Sequence, residues 1–151
     1  MFKEKFYYFA YGSNMSYERL YKRIGKCKKI GNYNLEGYEL TFNYGNEKES
    51  FANLKENEQK SVEGVVYEIT LKQLHLLDYY EGNNNPNYYY RMCDIYKNKA
   101  LHFYISFNTR KEFLKPISIV YYKYLLEGCI ENNLHNYKKY LQTISKFINY
   151  N

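Results

Sequence analysis

The sequence predicts an α+β fold with a mainly antiparallel sheet, and three observations carry that prediction. Aromatic or alternating apolar runs recur through the first two thirds of the chain, as strands require. Helical spacing of leucine and isoleucine is confined to short stretches among them and to the C-terminal part. No internal repeat or compositionally distinct half divides the 151 residues. One domain spanning 1–151 is therefore expected, long enough to bury roughly 70% of its unfolded surface.

The first strand is the run Phe6-Tyr7-Tyr8-Phe9-Ala10-Tyr11, which stops at the polar turn Gly12-Ser13-Asn14. Ser16 can cap the helix that follows, with Leu20 and Ile24 on one face and Gly25 as its stop. Leu35 to Asn43 alternates as a half-buried strand does, Phe51-Ala52-Asn53-Leu54 reads as a short strand, and Val62 to Ile69 as a stronger one. Leu71, Leu74, Leu76 and Leu77 predict a helix over 70–80 capped by Thr70, leading directly to Glu81-Gly82. Asn83 to Asn87, with Pro86, is a loop. Tyr88 to Tyr96 and Ala100 to Phe107 form a hairpin turning near Asn98. The remainder is helical, with Val120, Tyr121, Tyr124 and Leu125 on one face, a break at Gly128 and Asn132-Asn133, and Leu141, Ile144 and Ile148 on another face.

Composition narrows the function. Hydrophobic residues at 45% and charged residues at 25% fit a soluble globular protein. Lys3, Glu4 and Lys5 precede a short aromatic run without the apolar stretch of a signal peptide. No segment approaches the roughly 18 apolar residues of a membrane span. A cytoplasmic location with no membrane partner is the expectation. The net charge of +6 and the 22 tyrosines raise the possibility of a stacking surface for single-stranded nucleic acid. The densest basic group, Lys22 to Lys29, has the form of a helix end and turn, so no nucleic-acid partner is expected; such a partner would show steep salt dependence. Cys27, Cys93 and Cys129 are far apart, as are His75, His102 and His135, and neither set has metal-site spacing. No metal and no cofactor are expected.

Two places can carry chemistry. A Gly-Ser-Asn turn straight after a strand leaves backbone amides without ladder partners, and glycine lets a ligand approach. The competing reading is an ordinary strand-to-helix turn. Glu81, at the end of an apolar helix, can be desolvated, which would raise its pKa and suit it to acid/base work. The competing reading is a solvated glutamate at a helix end.

Taken together, Tyr8-Phe9-Ala10-Tyr11-Gly12-Ser13-Asn14-Met15 with Arg19-Leu20 resembles the N-terminal motif of gamma-glutamylcyclotransferases and their relatives. The likeness continues through Gly37 to Phe42, Ala52-Asn53-Leu54, Val62 to Tyr67, Leu77-Asp78-Tyr79-Tyr80-Glu81-Gly82, Tyr89-x-Arg91, Tyr121 and Gly128 to Leu134. The pattern departs near the end: His135 stands where the family usually has proline, and Tyr137 arrives early. The Tyr88-Tyr89-Tyr90 triplet leaves the Tyr-x-Arg register open. The resemblance implies a β-barrel-like sheet flanked by short helices, and cleavage of a small γ-glutamyl amide to 5-oxoproline and an amine without a cofactor. It implies Glu81 as general acid/base, and Tyr11, Gly12, Ser13, Asn14, Met15, Tyr89 and Arg91 as substrate-binding residues. Alternatives are a γ-glutamylamine (isopeptide) cyclotransferase and a non-catalytic ligand-binding relative.

Overall fold

The computed structural model describes residues 4–151, so Lys3 of the charged N-terminal group lies outside them. A five-stranded sheet takes the spatial order β2-β3-β1-β5-β4, where β1 is Lys5–Ala10, β2 Lys28–Gly45, β3 Ser50–Thr70, β4 Tyr89–Tyr96 and β5 Lys99–Ser106. Three of its four pairings are antiparallel, and β1 beside β5 is the parallel one. The class is α+β, as the sequence predicts.

The sheet is open, which corrects the barrel-like closure implied by the resemblance. Edge strands β2 and β4 are not hydrogen-bonded to each other. Tyr96 of β4 meets Tyr33 of β2 edge to face at 5.1 Å between ring centroids, and meets Tyr7 of β1 at 5.0 Å. Rings interposed in this way hold two backbones farther apart than the roughly 4.8 Å of a ladder.

The two runs at 51–54 and 62–69, expected as separate strands, are the two ends of β3. Between them residues 55–61 are almost wholly exposed and polar, so no apolar alternation marks them as strand. They are held extended by pairing with β2, a long-range constraint that local pattern does not report. Register slips at three places along this pairing, and Gly37, with φ +86, occupies the slip between Glu36 and Tyr38.

Local signals placed the short elements well. Helix α1 (Tyr17–Ile24) begins at Ser16, whose hydroxyl oxygen accepts from the Arg19 amide, and ends at Gly25 in a left-handed conformation. Helix α2 (Leu71–Glu81) opens with a full capping box between Thr70 and Gln73 and ends at Gly82, φ +68. The β4–β5 turn uses Lys97 and Asn98, both at positive φ, the backbone form that two-residue hairpins favour.

Helix α3 (Ile119–Glu131) differs from its expected face. Tyr122, Leu125, Gly128 and Cys129 are buried, whereas Val120 is 62% exposed. Gly128 does not break the helix, which runs on to Glu131 before turning at Asn132 and Asn133. Its glycine is needed for contact: a Cβ there would lie 2.5 Å from the Met15 Cβ and 2.9 Å from the Met15 carbonyl carbon. Helix α4 (His135–Thr143) buries Tyr137 and Leu141. Ile148 leaves the helical region for a two-residue strand, β7 (Ile148–Asn149), parallel to β6 (Ile117–Ser118). Among the described residues no helix is long and apolar enough to cross a membrane.

Because backbone, not a flexible side-chain end, faces Gly128, a methyl group there must push the two segments apart. Gly128→Ala should cost about 1–3 kcal/mol, seen as a lower denaturant midpoint with an unchanged slope.

Candidate functional site

The site forms where β1 runs out. Strand β1 pairs with β3 only as far as Ala10 opposite Val65. The chain then passes through Tyr11 and Gly12 into a single 3₁₀ turn, Ser13–Met15, before α1. Among the described residues the amides of Gly12, Ser13 and Asn14 donate to no protein acceptor. These three residues line a cleft of about 330 Å³, together with Tyr11, Glu81 and Tyr89.

That cleft brings together most of the residues singled out in the sequence, in two different ways. Gly12, Ser13 and Glu81 offer polar groups to it, while Tyr11 and Tyr89 spend their hydroxyls on protein carbonyls. The Tyr11 hydroxyl donates to the Tyr104 carbonyl, and that of Tyr89 to the Ala52 carbonyl at 2.7 Å. Tyr89 is thus the member of the tyrosine triplet that faces inward with its hydroxyl fixed. Asn14 is also committed: its amide nitrogen donates to the Tyr8 hydroxyl at 3.0 Å and its oxygen accepts from Arg23 at 3.2 Å.

Two expected binding residues do not line the cleft. Met15 is fully buried under α3, and its carbonyl accepts from the Tyr67 hydroxyl and the Asn132 side chain, both at 3.2 Å. Arg91 lies beneath α2, its Nε 3.6 Å from Asp78. Asp78 in turn accepts from the Tyr104 hydroxyl at 2.7 Å. The departure at Tyr137 also has an explanation. Its hydroxyl donates to the Tyr11 carbonyl and so supports the turn from behind.

Glu81 is the last residue of α2, and only 17% of its side chain remains exposed. Burial pushes its carboxyl above the ordinary carboxylate range, while Arg23 and then Arg19 pull the other way. The negative end of the helix dipole adds to the cost of ionising it there. Arg23 Nη1 stands 3.8 Å from Glu81 Oε1. Gly82 lets the chain leave the helix in the left-handed region and lets Tyr88 pack at its Cα, since a Cβ would sit 2.8 Å from that of Tyr88.

Several contributors escaped the sequence reading. Arg19 and Arg23 lie one helical turn apart on α1 and both reach the cleft, Arg19 Nε donating to Ser13 Oγ at 3.0 Å. Their spacing after the polar turn was a visible signal. Tyr8, Tyr104 and Tyr121 also line it, but in a chain with 22 tyrosines nothing local separates them from core residues. Among the described residues no three His, Cys, Asp or Glu side chains group as metal ligands.

Comparison with known proteins identifies the family and the fold. Residues 8–123 match the family model described as gamma-glutamyl cyclotransferase, AIG2-like. A solved structure described as a gamma-glutamyl cyclotransferase is 25% identical, with a TM-score of 0.78 over 93% of this chain and 88% of that one. An uncharacterized human protein is 26% identical, with a TM-score of 0.79 over 94% and 89%. YkqA from Bacillus subtilis shares the fold at 22% identity and a TM-score of 0.74, covering 94% of this chain and 56% of its own. No curated protein matches the sequence significantly.

A carboxyl whose pKa is higher in the folded than in the unfolded chain favours folding when protonated. The penalty for ionising it is absent below the unfolded value of about 4.3, grows as pH rises through the folded value, and is constant above that. Glu81→Gln should therefore melt a few degrees higher than the unaltered chain at pH 8, with the gap closing as pH falls to about 4.

Proposed function

Since the chain belongs to the gamma-glutamyl cyclotransferase, AIG2-like family, we propose that it converts γ-glutamyl amides to 5-oxoproline and a free amine, with Glu81 shuttling the proton. The observation that carries this reading is a largely buried carboxyl of raised pKa sharing one cleft with a turn of uncommitted amides. The reaction is an intramolecular aminolysis. Ionised Glu81 takes a proton from the substrate's α-ammonium group, and the freed nitrogen attacks the γ-carbonyl carbon. A five-membered ring forms as negative charge moves onto the carbonyl oxygen. Amides of Gly12, Ser13 and Asn14 are suited to that oxygen or to the α-carboxylate, each donor to an oxyanion being worth roughly 3–4 kcal/mol. Protonated Glu81 then gives its proton to the departing nitrogen as the amide C–N bond breaks, and the second proton of the ring nitrogen passes to the released amine, which leaves as an ammonium ion with Glu81 ionised again.

The raised pKa makes the carboxylate a better base for the first transfer and brings the group closer to the operating pH, where one carboxyl can serve first as base and then as acid. Arg23 restrains the carboxylate without sitting at full salt-bridge contact. Holding the glutamyl chain folded supplies much of the remaining rate through proximity. Only protons and an acyl group move, so the reaction needs no cofactor. Tyr44, Phe51, Tyr80 and Tyr88 give the cleft an aromatic wall, and the half-exposed Tyr80 and Tyr88 carry it toward solvent, where the leaving amine would lie. That wall, not the glutamyl end, would decide between α-amino acids and isopeptide amines.

A panel of γ-glutamyl amino acids and γ-glutamyl-lysine isopeptide, assayed for 5-oxoproline, tests reaction class and leaving group together. Turnover of at least one member is expected, falling about 10²–10⁴-fold in Glu81→Gln; near-normal turnover by that variant would exclude the mechanism. For the unaltered chain kcat/KM should fall as pH drops through the raised Glu81 pKa, giving an acid limb above the usual carboxylate range. Gly12→Ala separates binding from folding. Its backbone, φ −110, needs no glycine, and a Cβ would meet only the Tyr121 hydroxyl at 3.4 Å and Ala52 at 3.9 Å. The methyl group would intrude on the ligand instead, so KM should rise while the melting temperature stays within a few degrees.

A further inference from the structure

The three cysteines stand in different surroundings. Cys129 is buried in α3 and Cys27 is half-buried between α1 and β2, and burial pushes their thiols up to about 12 and about 11. Such thiols ionise too little near neutral pH to act as nucleophiles. Cys93 differs on two counts. It is exposed on the edge strand β4, and its Sγ lies 3.3 Å from Nδ1 of His102, within hydrogen-bond reach across the β4–β5 pairing.

Strand register sets the pair. Cys93 and His102 are directly opposite each other, so both side chains stand on the same face of the sheet. The His102 ring is 9% exposed and is fixed edge to face against Phe6 of β1, 5.9 Å between centroids, while the thiol looks outward. The charged groups around the imidazole are Arg91 of β4 and Asp78 of α2. Burial first, and then Arg91, hold its pKa below the ordinary histidine value, with Asp78 opposing them. At neutral pH the ring is therefore uncharged, and the tautomer with its hydrogen on Nε2 leaves Nδ1 able to accept from the thiol. Beside the thiol is an open depression of about 640 Å³, which Cys93 lines with Asp94, Ile95, Asn98, Lys99 and Ala100. A small molecule can reach the sulfur from that side without entering the Glu81 cleft, since the two share no lining residue.

We propose that Cys93 and His102 form a thiol-modification site that exchanges with small-molecule disulfides, separate from the Glu81 cleft. His102 Nδ1 takes the thiol hydrogen as Sγ attacks one sulfur of the disulfide. A new S–S bond forms to Cys93 while the S–S bond of the incoming molecule breaks, and the departing thiolate recovers the proton from His102. One thiol is consumed and one is released, so the exchange needs no further oxidant, and an added small thiol reverses it. Base assistance has room to act, because an ordinary thiol, with a pKa of about 8.5, is only a few per cent ionised near neutral pH.

The test is exposure of the native chain to hydroxyethyl disulfide, followed by mass spectrometry of the intact chain and of its peptides. One adduct is expected, at Cys93; Cys93→Ser should abolish it, and Cys27 and Cys129 should react only once urea unfolds the chain. Near neutral pH the native Cys93 rate should exceed its rate in the unfolded chain by about tenfold or more. Between about pH 6.5 and 7.5 the native rate should change less than about threefold, because it follows the uncharged fraction of His102, whereas an unassisted thiol gains about tenfold over that interval. His102→Gln keeps a polar neighbour beside the thiol but removes the base, and should restore the steep profile. If that variant folds poorly, the pH profile of the unaltered chain and its native-to-unfolded rate ratio decide alone. A steep profile in the unaltered chain, or an unchanged rate and profile in His102→Gln, overturns the role of His102. No adduct on the native chain, or modification of Cys27 or Cys129 ahead of Cys93, overturns the site.

Discussion

The anchoring of one turn, Tyr11 to Met15, is the constraint on which the cleft depends. Three elements, α4, β3 and α3 with its cap, hold it in place. Tyr137 of α4 bonds to the Tyr11 carbonyl, while Tyr67 of β3 and Asn132 after α3 bond to that of Met15. Gly128 lets α3 lie directly against the turn. Carbonyls are thereby consumed at the ends of the turn and amides left open in its middle. The direction of the backbone dipoles follows from this: donors face the cleft because acceptors have been satisfied from behind. Met15, which sequence likeness suggested as a ligand contact, belongs to this support.

Opposite the turn, the fold holds a carboxyl where water would otherwise stabilise it better. Two arginines a helical turn apart offset part of that cost, and their mutual repulsion is limited because each has its own engagement. Arg19 rests on Ser13 and over the Tyr124 ring at 4.6 Å; Arg23 bonds to Asn14 and lies over Tyr80 at 5.4 Å. Neither closes fully on Glu81. A tight bidentate pair would have lowered the carboxyl's pKa. At 3.8 Å the Arg23–Glu81 pair offsets part of the burial cost without cancelling the upward shift.

Much of this was legible in the sequence where the determining physics is local. Ser16, Thr70, Gly25 and Gly82 mark helix ends because caps and left-handed positions demand particular side chains. The Gly12–Asn14 turn and Glu81 were legible as a pair through family likeness, since each alone had an ordinary explanation. What was not legible depends on contacts between distant segments. The exposed middle of β3 is a strand only because β2 lies beside it, and Gly128 serves a contact 113 positions away in the chain, by the difference between 128 and 15. How the hydroxyls of Tyr89 and Tyr121 are engaged depends on the Ala52 peptide groups, whose orientation no side-chain pattern encodes. The open sheet likewise follows from where Tyr33 and Tyr96 meet, and strand count alone does not reveal that.

The crowd of phenols around Glu81 has a consequence for how the cleft responds to its surroundings. Burial raises the pKa of Tyr8, Tyr11, Tyr44, Tyr89, Tyr104 and Tyr121, with Glu81 adding to each; for Tyr44 the value is pushed up to about 12. With their pKa values raised, these six keep their protons around neutral pH, and among the described residues no histidine lines the cleft. A wall that is rich in hydroxyls is therefore electrically silent. Among the described residues Glu81 is the cleft group whose charge changes most readily with acidity, set against a lining whose pattern of donors stays fixed.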